Sequence, residues 1–200
     1  MFKKHWQFIL FITLFITALT LGLSFLVPTK YRSQARVLVV QQYGLGVDPY
    51  NLAKSTEYFT NLLAEVVPAK VFFDEVLNGD EQIDQSFFSP RPEKREKQWR
   101  KMVSVRPTGD TGILTISVYH PSSGQAGAVA SSITKVLTTR GGLFHGAGDR
   151  LSIRVIDEPI TSEKPVQPRI ALNTILAGLI GLFFSLGMVF LKSTQGTKIL

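Results

Sequence analysis

The alternation of apolar and polar positions divides the chain into three regions. From Phe8 to Val27 no side chain is charged, and a helix of that length crosses the hydrocarbon core of a bilayer. Ile170 to Leu191 is a second such run, with Asn173 as its one strongly polar interior position. Between them the apolar positions recur at intervals of two or of three to four, which predicts alternating strands and helices.

Ser33 to Gln42 alternates, with Ala35, Val37 and Val39 on one side and Gln34, Arg36 and Leu38 on the other, so it reads as a strand. Gly44, Gly46 and Pro49 break it. Asn51 to Leu77 has Phe59, Leu62, Leu63 and Val66 at helical spacing, with Pro68 as a kink or a new start and Asn78-Gly79 as a stop. A polar stretch then leads to Glu93–Lys101, read as a solvated helix with Glu93/Lys97 and Glu96/Arg100 pairs. Met102–Arg106 and Ile113–Tyr119 form a hairpin across a Gly-rich turn. Ser122 or Ser123 caps a helix carrying Ala126, Val129, Ile133, Val136 and Leu137, which Gly141-Gly142 ends. Leu151, Ile153 and Val155 alternate in a last strand.

The order β-α-β-β-α-β, with extra helix in the first crossover, predicts an α+β, ferredoxin-like domain with both helical layers on one face of the sheet. The first strand begins just after the first apolar run and the last ends just before the second, so the sheet is expected to sit close to the membrane with the long first helical segment free to project away. The boundaries expected are an N-tail at 1–7, a transmembrane helix at 8–27, the domain at 28–169 and a Pro-rich segment at 158–169. A second transmembrane helix at 170–191 and a C-tail at 192–200 complete the chain.

Charge refines this picture. The formal net charge is +7, and all 15 acidic residues lie between Asp48 and Glu163. Lys3, Lys4, Lys192 and Lys198 flank the apolar runs with no acidic neighbours, so the basic balance reflects membrane contact and not nucleic acid, for which no stacking-aromatic motif is present. Phe8–Val27 is too long for the apolar core of a cleaved signal, and no A-x-A site precedes Pro28, which favours a retained anchor. Two spans put both termini on the same side. Charge leaves open which side, because Lys30, Arg32, Arg36, Lys164 and Arg169 flank the other ends.

Catalytic, cofactor and metal constellations are not found. There is no cysteine. His5, His120 and His145 lack ligand spacing and read as loop or interfacial residues. The Gly141–Gly148 stretch follows a helix and lacks the Lys-Ser/Thr of a phosphate loop, so it reads as a flexible connector. The adjacent carboxylates Asp74-Glu75 and Asp80-Glu81 read as solvated, and Ser122-Ser123 and Ser131-Ser132 have no activating base. No enzyme is expected.

Two other features carry information. Pro159, Pro165 and Pro168 stiffen the segment that joins the last strand to the second span, where a stiff connector transmits position and a Gly/Ser linker would not. Ala177, Gly181 and Ser185 recur every fourth residue on one helix face, where small side chains let two backbones approach.

Pro28-Thr-Lys-Tyr31 runs into Ala35-x-Val37-Leu-Val-Val40, and Ile116-Ser-Val118 precedes Pro121 and the Ala-rich helix. Val155-Ile-Asp-Glu-Pro159 is followed by Ser162-x-Lys164-Pro165-x-x-Pro168 at the mouth of the second span. With the two terminal spans, these segments resemble the polysaccharide co-polymerases, or chain-length determinant family, over essentially the whole chain. The resemblance implies cytoplasmic termini, an extracytoplasmic domain, and ring-like homo-oligomers in the bacterial inner membrane. It also implies that the protein binds a polysaccharide polymerase or export machinery and sets glycan length without catalysis or cofactors. The middle domain is short for the Gram-negative members. Lys192–Leu200 carries no nucleotide-binding motif and no tyrosine cluster, so no kinase domain is expected there. Contact with membrane lipid is expected, and the basic helix around Glu93–Lys101 offers a possible contact with an anionic glycan. The alternatives are a membrane adaptor for a separate cytosolic tyrosine kinase and a transmembrane sensor.

Overall fold

The computed structural model describes residues 2–42 and 48–196. The expected strand breakers Gly44 and Gly46 and the end of the C-tail, 197–200, lie outside the described residues. The chain divides into two units, Met1–Thr29 with Val166–Leu200, and Lys30–Pro165.

The central unit begins with β1 (Tyr31–Gln41), followed by α2 (Pro49–Val66) and α3 (Lys70–Asn78); α1 belongs to the other unit and spans Phe2–Leu26. A 3-10 turn at Gln85–Phe87 precedes α4 (Pro92–Met102), β2 (Val103–Pro107) and β3 (Ile113–His120). Then come α5 (Ser123–Arg140), the short α6 (Gly142–His145), a 3-10 turn at Gly148–Arg150 and β4 (Leu151–Thr161). The fold is mixed α+β, with one four-stranded antiparallel sheet in the order β2-β3-β1-β4.

Local chemistry accounts for the element ends. The Asp48 carboxylate accepts from the Asn51 N–H at 3.4 Å and Pro49 occupies the first turn of α2, where its missing N–H is no loss. Pro68 lies between α2 and α3, where its missing N–H and its ring disfavour an unbroken helix. The Ser122 hydroxyl caps α5 by accepting from the Gln125 N–H.

Burial alternates along β1 and β3. Ala35, Val37, Val39, Leu114, Ile116 and Val118 are buried on one face, while Gln34, Arg36, Thr115 and Ser117 lie on the more open one. The buried face meets α2 through Leu63 and α5 through Val129, Ile133 and Leu137, and Phe72, Phe73 and Val76 of α3 belong to the same core. Each such side chain contributes about 1.5–3 kcal/mol by leaving water.

Several sequence expectations change here. The first helical segment folds back on its own unit: α2 packs on the sheet and α3 on α5, because their apolar stripes would otherwise face water. Nor is α4 simply solvated, since Trp99 is fully buried and Met102 nearly so. Glu96 pairs with Arg100 at 2.9 Å, but Glu93 and Lys97 form no ion pair among the described residues. Both are exposed, and ordering two long side chains in water costs about what the pair returns. The Gly141–Gly148 stretch forms α6 and a 3-10 turn instead of a plain connector. A Cβ on Gly141 would stand 2.3 Å from the Leu137 carbonyl oxygen and 2.9 Å from Ile153 Cδ1, so the glycine there permits a close approach.

The other unit consists of α1 and α7 (Ile170–Gly196), packed on each other. Trp6–Leu26 and Ile170–Leu191 are long and apolar enough to cross a membrane. Thr17, Thr20 and Ser24 return their hydroxyls to main-chain carbonyls one turn back, which satisfies these groups without water.

Candidate functional site

The residues singled out in the sequence fall into separate places. Pro159 lies within β4, while Pro165 and Pro168 lie between β4 and α7. Proline is tolerated in a sheet at an edge strand or a bulge, and β4 offers both. Ala177, Gly181 and Ser185 are all buried, on the face of α7 turned to α1 of the same chain. A Cβ on Gly181 would lie 3.1 Å from Thr13 Cα, so the helix backbones come close there. Alongside, an apolar groove is lined by Trp6, Leu10, Leu14, Leu182 and Leu186.

The polar candidates do not assemble into a catalytic set. Asp74 pairs with Lys70, and Glu75 on α3 pairs with Arg140 on α5, so these carboxylates are engaged and not merely solvated. His120 is no loop residue. It closes β3 on the buried face, lies tilted against Phe87 with ring centroids 4.3 Å apart, and its Nδ1 accepts from the Ser122 N–H at 3.0 Å. Burial pushes its pKa down, against the opposing pull of the Ser122 carbonyl and Asp84. The side chains of His5 and His145 lie outside the described residues. Among the described residues no three metal-ligating side chains cluster.

The most structured polar feature is one the sequence reading missed. Arg36 faces Asp157 across β1 and β4 and forms an ion pair with it. On each side of this pairing the register shifts, because β4 carries one more residue than β1 opposes. Bulges of this kind bend an edge strand and redirect its side chains. Here they open a cleft of about 380 Å³ lined by Arg32, Gln34, Arg36, Asp157, Ile160 and Ser162. The Arg32 main-chain N–H donates to the Ser162 hydroxyl at 3.0 Å, which fixes one end. The Arg32 Nε is enclosed and has no hydrogen-bond acceptor. No spacing in the sequence signals this cleft, since a bulge depends on the partner strand.

Comparison with known families was informative at both ends of the chain. A model described as chain length determinant protein matches residues 1–82, covering α1, β1, α2 and α3. A second, described as G-rich domain on putative tyrosine kinase, matches residues 137–194, from the end of α5 through most of α7. No curated protein matches the chain. Both matches run from a membrane-length helix into the central unit, and both models are markers of the polysaccharide co-polymerase family.

Proposed function

We propose that this protein is a non-enzymatic, self-associating membrane scaffold that sets the length to which a surface polysaccharide is polymerised. The chain-length determinant match carries the reading, because it extends from a membrane-length helix into the folded unit and so ties the regulator role to both. In this reading α1 and α7 anchor the chain in the bacterial inner membrane, with both termini cytoplasmic and the central unit outside. That unit is ferredoxin-like, a reading supported by β1 and β3 at the centre of the order β2-β3-β1-β4. Copies associate as homo-oligomers that engage a polymerase or export complex. The Pro159, Pro165 and Pro168 segment couples the sheet to α7, and the Ala177, Gly181 and Ser185 face holds membrane helices together.

Deleting the gene and resolving the surface polysaccharide by gel electrophoresis tests the reading. A changed length distribution is expected, and an unaltered ladder overturns it. Sizing the detergent-solubilised protein tests self-association, for which a monomer would be the adverse result.

The second family description supports one alternative, in which the chain is a membrane adaptor that activates a separate cytosolic tyrosine kinase through its termini. Removing 192–200 separates the two readings. Loss of kinase phosphorylation with unchanged binding to the polymerase favours the adaptor.

A further inference from the structure

The cleft between β1 and β4 has the size and the chemistry of a ligand site. At about 380 Å³ it falls within the range of small-molecule pockets, about 300–1,000 Å³. Its walls combine the guanidinium groups of Arg32 and Arg36, the Gln34 side chain and Ser162 with the apolar Ile160, which is 73% exposed.

Its charges are unbalanced. Asp157 answers Arg36. Arg32 has no ion pair among the described residues, and its enclosed Nε–H has lost water without gaining an acceptor. That Nε–H is itself out of a ligand's reach, but the terminal N–H donors of this half-buried side chain have no hydrogen-bond partner among the described residues, so an incoming oxyanion gains charge-assisted bonds there. Guanidinium groups receive carboxylates and phosphates through paired N–H donors.

The surroundings extend the pattern. On the same open face, Arg106 stands opposite Thr115 and Arg154 opposite Leu38. Neither has an ion pair among the described residues, and Ser104, Ser117 and Tyr119 share the face. Glu158, in the bulged part of β4, is exposed and has no ion pair among the described residues. Adjacent strands lie about 4.8 Å apart, so Arg106 and Arg36, two strands apart in one row, are separated by about 10 Å. Separated cations on a polar platform suit a chain of repeated anionic units better than a lone ion.

We infer that the β1–β4 cleft binds an anionic sugar unit of a polysaccharide. Arg32 receives its carboxylate or phosphate, Ile160 supports its ring, and the open sheet face carries neighbouring units. The inference rests on the polysaccharide reading above and adds the place and the charge of the ligand.

The test is calorimetric titration of the full-length protein in detergent with a short oligogalacturonate, and with its neutral methyl ester. The acid is expected to bind and the ester to bind at least about tenfold more weakly. Arg32→Gln is expected to weaken the acid by about tenfold or more, while Arg91→Gln, which removes an exposed charge outside the cleft, leaves it within about twofold. Should Arg32→Gln fail to fold by circular dichroism, Gln34→Glu places a repelling carboxylate in the cleft from an outward strand position and must weaken binding similarly. Equal binding of acid and ester, or equal losses in Arg32→Gln and Arg91→Gln, overturns the inference. Glycerol phosphate that binds through Arg32 where the oligosaccharide does not would assign the cleft to a lipid headgroup, and also overturns it. If deletion alters polymer length yet the wild-type chain ignores the acidic oligosaccharide, this inference falls alone and the regulator reading stands.

Discussion

The indole Nε1–H of Trp99 donates to the main-chain carbonyl of Val67 at 2.9 Å, tying α4 to the end of α2. Val67 follows the last residue of α2, where main-chain carbonyls lack intrahelical partners. The Trp99 ring is fully buried and lies 4.8 Å from that of Phe73. Trp99→Phe keeps much of the apolar contact but orphans the carbonyl, so it should cost about 1–3 kcal/mol. Trp99→Ala also empties the site and should cost about 3–5 kcal/mol. Thermal melts followed by circular dichroism rank the two; a Trp99→Phe variant that melts with the wild type would refute the role given to the hydrogen bond.

The paired glycines after α5 should respond in opposite ways. A Cβ at Gly141 would run into the Leu137 carbonyl and Ile153, whereas at Gly142 nothing lies within 4 Å. Gly141→Ala is expected to destabilise by about 1–3 kcal/mol through overpacking. Gly142→Ala should be neutral or gain up to about 1 kcal/mol, because alanine limits the unfolded chain and favours helix. Melts of the two single variants decide the matter.

Stability should fall as the medium becomes mildly acidic. Burial holds the His120 pKa below its ordinary 6.5; the Ser122 carbonyl and Asp84 pull it up, and Lys30 adds a push down. The unfolded chain therefore takes up this proton first. The contribution of His120 is complete above the unfolded value of 6.5 and is lost as pH falls through 6.5 towards the lower folded pKa. Melting temperatures measured between about pH 7.5 and pH 5.5 should decline in the wild type and decline less in His120→Gln. Parallel slopes would show that another group is responsible.

Packing of α1 on α7 depends on the absent side chain at Gly181. A Cβ on Gly178 would lie 3.6 Å from Thr17 Oγ1, the position a cysteine sulfur would take, so the two sites are within reach of a disulfide. The sequence contains no cysteine, so Thr17→Cys with Gly178→Cys gives a background-free cross-link in membranes. Adding Gly181→Leu should reduce its yield severalfold by forcing the backbones apart. An undiminished yield would count against close packing at that position.

Much of the fold was legible because its signals are local. The alternation of Val37 and Val39 with Arg36 and Leu38, the proline at 68 and the Ser122 cap each act within a few residues, and each appears where its spacing places it. Trp99 was less readable. On the strongly charged α4 it has only Met102 as a buried companion, too short an apolar stripe to stand out. His120 likewise follows its strand pattern by one residue, and its burial depends on Phe87, which arrives from a distant turn.

The sequence by itself determined two uncharged end segments, their pairing with one α+β unit, and which side of β1 faces inward, since all three follow from hydrophobic spacing. Only the tertiary structure decided that β4 slips against β1 on both sides of Arg36. It also decided that Arg32 lines a cleft and that its enclosed Nε has no acceptor. Those outcomes depend on contacts between residues more than a hundred positions apart, whose register is set by how whole strands share a core.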